Sequence, residues 1–296
     1  MLNTTSISYS LEGVQLLGFI LLVFLIFFTA FGNILVILAI LRTPRLRTSS
    51  NVLIINMACG DILYSVSTLP LSMVLLCFRE NWPLGKIGNI IFDVTWFSFL
   101  VLSFINVVVI ALERYIAITK PFVYNVLVTK KRVMCVCFGL WIYVILLIFA
   151  MAFTLKQANG VDYIFVIPGS FYYTALIFHA ILAFIFVPLL YSKIFLIARK
   201  HKIEIMQQHD RKGRRSFFHE MKATQTIGIV IVLFSLVWLP FLINQFVDYR
   251  DIYEGAWDLN NSIMCYITYC NGPVNILVYS CWNREIRKSI LKLVLP

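Results

Sequence analysis

GVQLLGFILLVFLIFFTAFGNILVILAIL, residues 13–41, runs for 29 residues without a charge. A helix needs only about 20 mostly apolar residues to cross the hydrocarbon core of a bilayer. This stretch alone therefore makes lipid the expected solvent. The pattern recurs: uncharged runs of 19 residues at 94–112, 23 at 133–155, 30 at 163–192, 25 at 223–247 and 25 at 259–283 follow. Residues 48–78 form a further segment of spanning length, broken by one charge, Asp61. Seven spans predict an all-α membrane protein, a seven-transmembrane helix bundle forming a single domain over residues 1–296.

The composition agrees. The chain is 60% hydrophobic and 13% charged, too few charges to coat a soluble globule of this size. Of the 25 Lys and Arg, 21 fall on one side of the expected membrane: Arg42, Arg45 and Arg47, those from Arg114 to Arg132, those from Lys193 to Lys222, and those from Arg284 to Lys292. Short loops rich in Lys and Arg stay in the cytoplasm, so residues 1–12 are expected outside and the C-terminus inside, at the plasma membrane. The net charge of +11 is then a topology signal, and no nucleic-acid partner is expected. The first residues lack a basic n-region, so the first helix is expected to act as an uncleaved anchor. Asn3-Thr4-Thr5 and Asn260-Asn261-Ser262 are glycosylation sequons on the predicted outer side.

All seven cysteines lie within or at the ends of the spans, none in the outer loop from Lys156 to about Phe171. A disulfide stapling that loop to the third helix is excluded, and buried thiols acting as small hydrophobes are expected. The basic stretch from Arg199 to Lys222 is expected to be a mobile cytoplasmic loop. WNREIRKSILKL, at the end of the seventh span, places Trp282, Ile286, Ile290 and Leu293 at helical spacing among basic residues. That pattern predicts a short amphipathic helix at 283–294 on the inner leaflet.

A carboxylate near mid-membrane costs several kcal/mol unless it finds partners, so Asp61 is a functional candidate. Small polar residues at similar depth are available: Asn33, Ser103, and Asn271 with Asn275, which share a helix face at i, i+4. Oxygen ligands around one carboxylate suit a hard cation such as Na⁺. A hydrated polar network that only fixes helix packing explains the same residues.

Further motifs make the reading specific. Gly32-Asn33, Asn56-Met-Ala-Cys-Gly-Asp61, Glu113-Arg114-Tyr115, Trp141, Phe234-Ser-Leu-Val-Trp238-Leu-Pro240 and Asn275-Ile-Leu-Val-Tyr279 resemble, in order and in helix, the signatures of rhodopsin-like (class A) G-protein-coupled receptors. Three departures stand out. Asn89 occupies the place of the usual disulfide cysteine. Ile276 stands where the helix-seven motif usually has proline, with Pro273 three residues earlier. Ala183 takes the usual helix-five proline position, with Pro188 displaced. Loss of both that helix-five proline and the disulfide is similar to the melanocortin, lysolipid and cannabinoid receptors, while YNVLVT after helix three is similar to adenosine receptors.

The resemblance implies three sites. Arg114 would pair with Glu113 and with Glu220 at the start of helix six in the resting form, although a pair of snorkelling interface charges fits the same residues. On activation helix six would swing outward, and Arg114, Tyr191 and Tyr279 would line a groove for a heterotrimeric G protein. Phe122 would either insert into that partner or pack its loop against the helix ends. The implied ligand pocket comprises Trp96, Phe97, Leu100, His179, Trp238, Phe241, Leu242, Gln245, Cys265 and Tyr269, with Asp93 one turn outward. His179 is open to either a ligand contact or a helix-packing hydrogen bond. Amine receptors carry an aspartate where Trp96 stands, so an uncharged or lipid-like extracellular ligand is expected. No cofactor is expected beyond a possible allosteric Na⁺.

Other functions are disfavoured. Residues 259–283 contain no lysine for a retinal Schiff base. No nucleophile with a base, and no metal-binding His/Glu set, argues for an enzyme. An ion-coupled transporter would show internal repeats and more buried charges, and a non-signalling or decoy receptor is the remaining alternative.

Overall fold

The computed structural model describes residues 4–78, 83–154, 156–157, 165–166, 169–207, 211–247 and 259–295, without the side chains of 4–12, 200–220 and a few others in the helices. Apolar composition drives the first three spans: α1 (Thr4–Arg42), α2 (Ser49–Phe78) and α3 (Gly85–Thr119). A 3₁₀ turn, Pro44–Leu46, joins the first two. A short helix, α4 (Pro121–Leu127), follows Lys120, with proline at its first turn where the missing N–H costs nothing. The fourth span is α5 (Lys130–Thr154). In the second outer loop β1 (Lys156–Gln157) pairs antiparallel with β2 (Phe165–Val166), Lys156 opposite Val166.

The fifth span is α6 (Gly169–Ile181), a π-helical turn (Leu182–Phe186) and α7 (Val187–Gln207). The sixth is α8 (Arg211–Val247), which contains Pro240. The seventh is split into α9 (Leu259–Tyr269) and α10 (Asn271–Trp282), and α11 (Arg284–Val294) closes the chain. Six helical spans are each long and apolar enough to cross a membrane, and α9 and α10 end to end supply the seventh.

Side-chain burial follows from a lipid solvent. The core joins α3, α5, the fifth span and α8 through Phe97, Leu100, Phe104, Met151, Leu176, Phe234 and Trp238. Outward faces carry exposed apolar residues such as Phe27, Phe31, Phe138, Phe149 and Leu236, unfavourable in water and suited to acyl chains. The thiols of Cys59, Cys77, Cys135, Cys137, Cys265 and Cys270 are free.

Helix α1 starts at Thr4, within residues 1–12 that are expected outside. The structure departs from the sequence reading elsewhere. The expected cytoplasmic loop is helical through Gln207 and again from Arg211; its sequence contains no proline to stop a helix. The seventh span is broken at Cys270, one turn before Pro273, since proline supplies no N–H to the carbonyl four residues earlier. The loop after helix three forms α4. The helix expected at 283–294 forms as α11, which Asn283 caps by accepting from the N–H groups of Glu285 and Ile286, both at 3.2 Å.

Candidate functional site

At mid-bundle, α2, α3 and α10 converge on Asp61. Asn275 Nδ2 donates to Asp61 Oδ2 at 3.1 Å, and Asn271 Nδ2 donates to Ser103 Oγ at 3.0 Å. Asn33 sits beside the carboxylate and donates to the Thr29 carbonyl at 3.0 Å. All are buried. Asp61, Ser103, Asn271, Tyr64, Thr268 and Trp238 help to line a cavity of about 20 Å³, room for about one water-sized occupant. Within the described residues Asn271 Oδ1, Asn275 Oδ1 and Asn33 Oδ1 accept no hydrogen bond. Of these three asparagines only Asn271 lines the cavity; with the Asp61 carboxylate and the Ser103 hydroxyl it offers hard oxygen donors, the chemistry that suits one hard monovalent cation.

Above the cavity lies a layer of rings. Trp96 packs edge-to-face on Phe241 with centroids 5.3 Å apart; Trp238 meets Phe241 at 6.2 Å and Phe104 at 5.2 Å. Phe97 meets Tyr172 at 5.1 Å, and the Tyr172 hydroxyl donates to Gln245 Oε1 at 3.3 Å. Leu100 and Leu242 belong to the same cluster, against which Trp96 and Cys265 pack. Tyr269 accepts from Ser72 Oγ at 3.1 Å. Asn89 donates to Asp93 Oδ2 at 3.2 Å, on the outer end of α3. The structure thus brings nearly all the expected pocket residues together as one aromatic layer.

His179 is the exception. Its Nε2 shares a 2.8 Å hydrogen bond with the Tyr143 hydroxyl on α5, and its Nδ1 lies 2.6 Å from the Ala175 carbonyl. Of the two roles open to it, these bonds match helix packing, one ring nitrogen reaching across to α5 and the other bonding within α6.

At the inner end, Arg114 is 2% exposed. Its Nε lies 2.5 Å from Glu113 Oε2 and its second terminal nitrogen 2.6 Å from Glu113 Oε1, a two-point ion pair that fits guanidinium geometry. Two residues missed in the sequence complete it. Ser50 on α2 donates to Glu113 Oε1 at 2.8 Å and accepts from Arg114; Tyr124 on α4 donates to the same carboxylate and lies 3.1 Å from Ser50. Burial, and next the negative Glu113, push the Tyr124 pKa upward, so the phenol stays a donor. Their signal was weak: a serine at the start of α2 and a tyrosine eleven residues past Glu113 share a level only once α4 is known to be helical.

The remaining inner residues are placed as follows. Tyr115 packs half-buried against Ile118 and Ile194. The Tyr191 ring covers Gly228 of α8, where a Cβ would stand 3.5 Å away, and Tyr279 donates to Met57 Sδ at 3.5 Å. Phe122 is 97% exposed, which removes the alternative of loop packing against helix ends. The side chains of Glu220, Asn3 and Asn260 lie outside the described residues. Trp141 Nε1 donates to Asn56 Oδ1 at 2.9 Å, and Asn56 donates to Asn106 at 2.7 Å, tying α5, α2 and α3.

The profile of the 7 transmembrane receptor (rhodopsin family) matches residues 32–279, from the Gly32 notch on α1 to Tyr279 on α10. The chain belongs to this family. Among curated relatives, this receptor is 28% identical to human trace amine-associated receptor 6 over 290 residues, covering 89% of the chain and 81% of the relative. It is 29% identical to mouse trace amine-associated receptor 9 over 286 residues, covering 89% and 80%. It is 27% identical to the alpha-1A adrenergic receptor of Oryzias latipes over 327 residues, covering 94% and 66%. The receptor is a multi-pass protein of the plasma membrane that signals through G proteins.

Proposed function

We propose that this receptor takes an uncharged, largely apolar extracellular ligand in the aromatic layer and transmits its binding to a heterotrimeric G protein through outward movement of the inner end of α8. The observation that carries the ligand class is the Trp96 indole packed on Phe241 at 5.3 Å, at the level where amine receptors supply a carboxylate. An ammonium buried there loses hydration worth several kcal/mol, and cation–π contact returns at most about 2. The N-terminus faces outside, and Asn3 and Asn260 carry glycans. Asp61, Ser103, Asn271 and Asn275 hold Na⁺ in the cavity beneath, and Phe122 inserts into the G protein. Trp238, which borders both the cavity and the aromatic layer, links ligand to ion.

A second reading rests on Asp93 and on the names of the relatives. A carboxylate at the mouth of the layer, held by one amide, offers a longer cationic ligand a salt bridge that Trp96 cannot. The test is a second-messenger screen in transfected cells with lipid, nucleoside, peptide and amine libraries, followed by Trp96→Ala and Asp93→Asn. An apolar agonist weakened at least tenfold by Trp96→Ala alone supports the first reading. A small amine agonist lost with Asp93→Asn overturns it in favour of the second.

A further inference from the structure

We propose that Tyr64 is a further ligand of the cation in the cavity beneath the aromatic layer: its phenol oxygen takes the place of a water, so that sodium sits there on protein oxygens. The inference rests on the sodium reading of that cavity and adds to it a residue outside the set of Asp61, Ser103, Asn271 and Asn275.

Place and confinement carry it. Tyr64 follows Asp61 by three residues on α2, one turn along the same face, and lines the same cavity. Its hydroxyl is buried and has no hydrogen-bond partner among the described residues. A buried hydroxyl without a partner costs free energy, which a ligand in the cavity would return. The ring cannot swing the oxygen elsewhere. It meets Phe99 of α3 edge-on with centroids 6.0 Å apart and Tyr269 of α9 at 6.3 Å, and Tyr269 is itself held by Ser72 at 3.1 Å. Turning the phenol out would push both rings aside in a packed interior.

The neighbouring side chains are turned to present oxygen. Asn271 spends an amide N–H on Ser103 Oγ at 3.0 Å, which leaves Asn271 Oδ1 unpartnered among the described residues. Thr268 donates its one hydroxyl proton to the Cys265 carbonyl at 2.7 Å, so it has only lone pairs left for the cavity it lines. These oxygens, with the Asp61 carboxylate and the Tyr64 phenol, border a space of about 20 Å³, room for about one water-sized body. A hard cation enters so small a space only by shedding its water, and oxygens fixed in the wall must replace it. The neutral phenol does so without adding a second negative charge. Trp238 borders the cavity too, and its N–H lacks a partner among the described residues. An N–H donates, however, so it serves a water and not a cation. A single water is therefore the competing occupant.

The test needs neither agonist nor G protein. Purified receptor in detergent is melted across a series of sodium chloride concentrations, with choline chloride holding the ionic strength constant. Tyr64→Phe keeps the ring and its contacts and removes only the oxygen. It should raise the sodium concentration for half-maximal stabilisation at least fivefold, while its Tm in choline is no lower than that of wild type, since an unpartnered buried hydroxyl has gone. A residue that only packs would do the reverse, lowering the Tm in choline and leaving the sodium midpoint in place. A midpoint shifted less than fivefold, or a lower Tm in choline, overturns the proposal. Asp61→Asn, which should abolish the sodium response, separates the two possible failures. A response that is lost with Asp61→Asn but unmoved by Tyr64→Phe rejects Tyr64 and keeps the ion site. A wild type that melts alike in sodium and in choline rejects both and leaves the cavity to a water on Trp238.

Discussion

Tyr124→Phe removes a single hydroxyl, and the structure sets how much that is worth. The phenol donates to Glu113, which also holds Ser50 and Arg114. A hydrogen bond to a charged group contributes about 1.5–3 kcal/mol. Two other donors stay on Glu113 and soften the loss, which places it at about 1–2 kcal/mol. On the proposed outward movement of α8, Arg114 would turn to the groove and Glu113 would be released from the tyrosine, so the bond would belong to the resting form alone. A differential of about 1–2 kcal/mol raises the active-to-resting ratio roughly 5- to 30-fold, at about 1.4 kcal/mol per tenfold change. The assay is agonist-independent second-messenger output at matched surface expression. Ser50→Ala should act in the same direction, and the double variant should fall short of the sum because both hydroxyls serve one carboxylate. Unchanged or lower basal output for Tyr124→Phe in cells where the receptor demonstrably couples refutes the reasoning.

If Glu220 is the second partner of Arg114 that the family resemblance implies, Glu220→Ala should also raise basal output; no change there would confine the resting constraint to Glu113, Ser50 and Tyr124. Asp61→Asn should abolish any effect of sodium on agonist affinity, and identical sodium responses in wild type and variant would reduce the cavity to a packing network. Tyr143→Phe should lower thermal stability by roughly 1 kcal/mol, the worth of one hydrogen bond, yet leave agonist affinity unchanged, since its partner His179 points to α5; a tenfold loss of affinity would return His179 to the pocket.

The spans and the inner ion pair were legible because membrane physics writes them in single residues: a charge is rare enough in a 25-residue apolar run that Asp61 and Arg114 stand out. The aromatic layer was legible only through the resemblance, since Phe and Trp in a chain with 25 Phe carry no positional signal of their own. His179 shows the limit. An intramembrane histidine must find a partner, but whether the partner is a ligand or Tyr143 depends on how α5 and α6 rotate against each other, and apolar periodicity is nearly silent where lipid and core are both apolar. Ser50 and Tyr124 were hidden for a related reason: short hydroxyl residues near a helix end are common, and only the helical turn of α4 lifts Tyr124 to the level of Glu113.

The two displaced prolines follow one rule. Where Ala183 stands in for proline, the fifth span widens into the π-turn Leu182–Phe186, and Val187 N–H reaches the Leu182 carbonyl. Pro188 follows at once, its ring set against the carbonyl of Phe184; the wider turn takes up that clash without breaking the helix. In the seventh span the break precedes Pro273 by three residues, at Cys270, while Ile276 is free to be a large branched side chain because no bend is required of it. A proline acts on the turn before it, so with the residue at 273 the interruption of the hydrogen-bond ladder falls at Cys270. In the seventh span, with no proline at 276, Ile276 packs tightly against Gly32, one residue past the Asn275 that donates to Asp61.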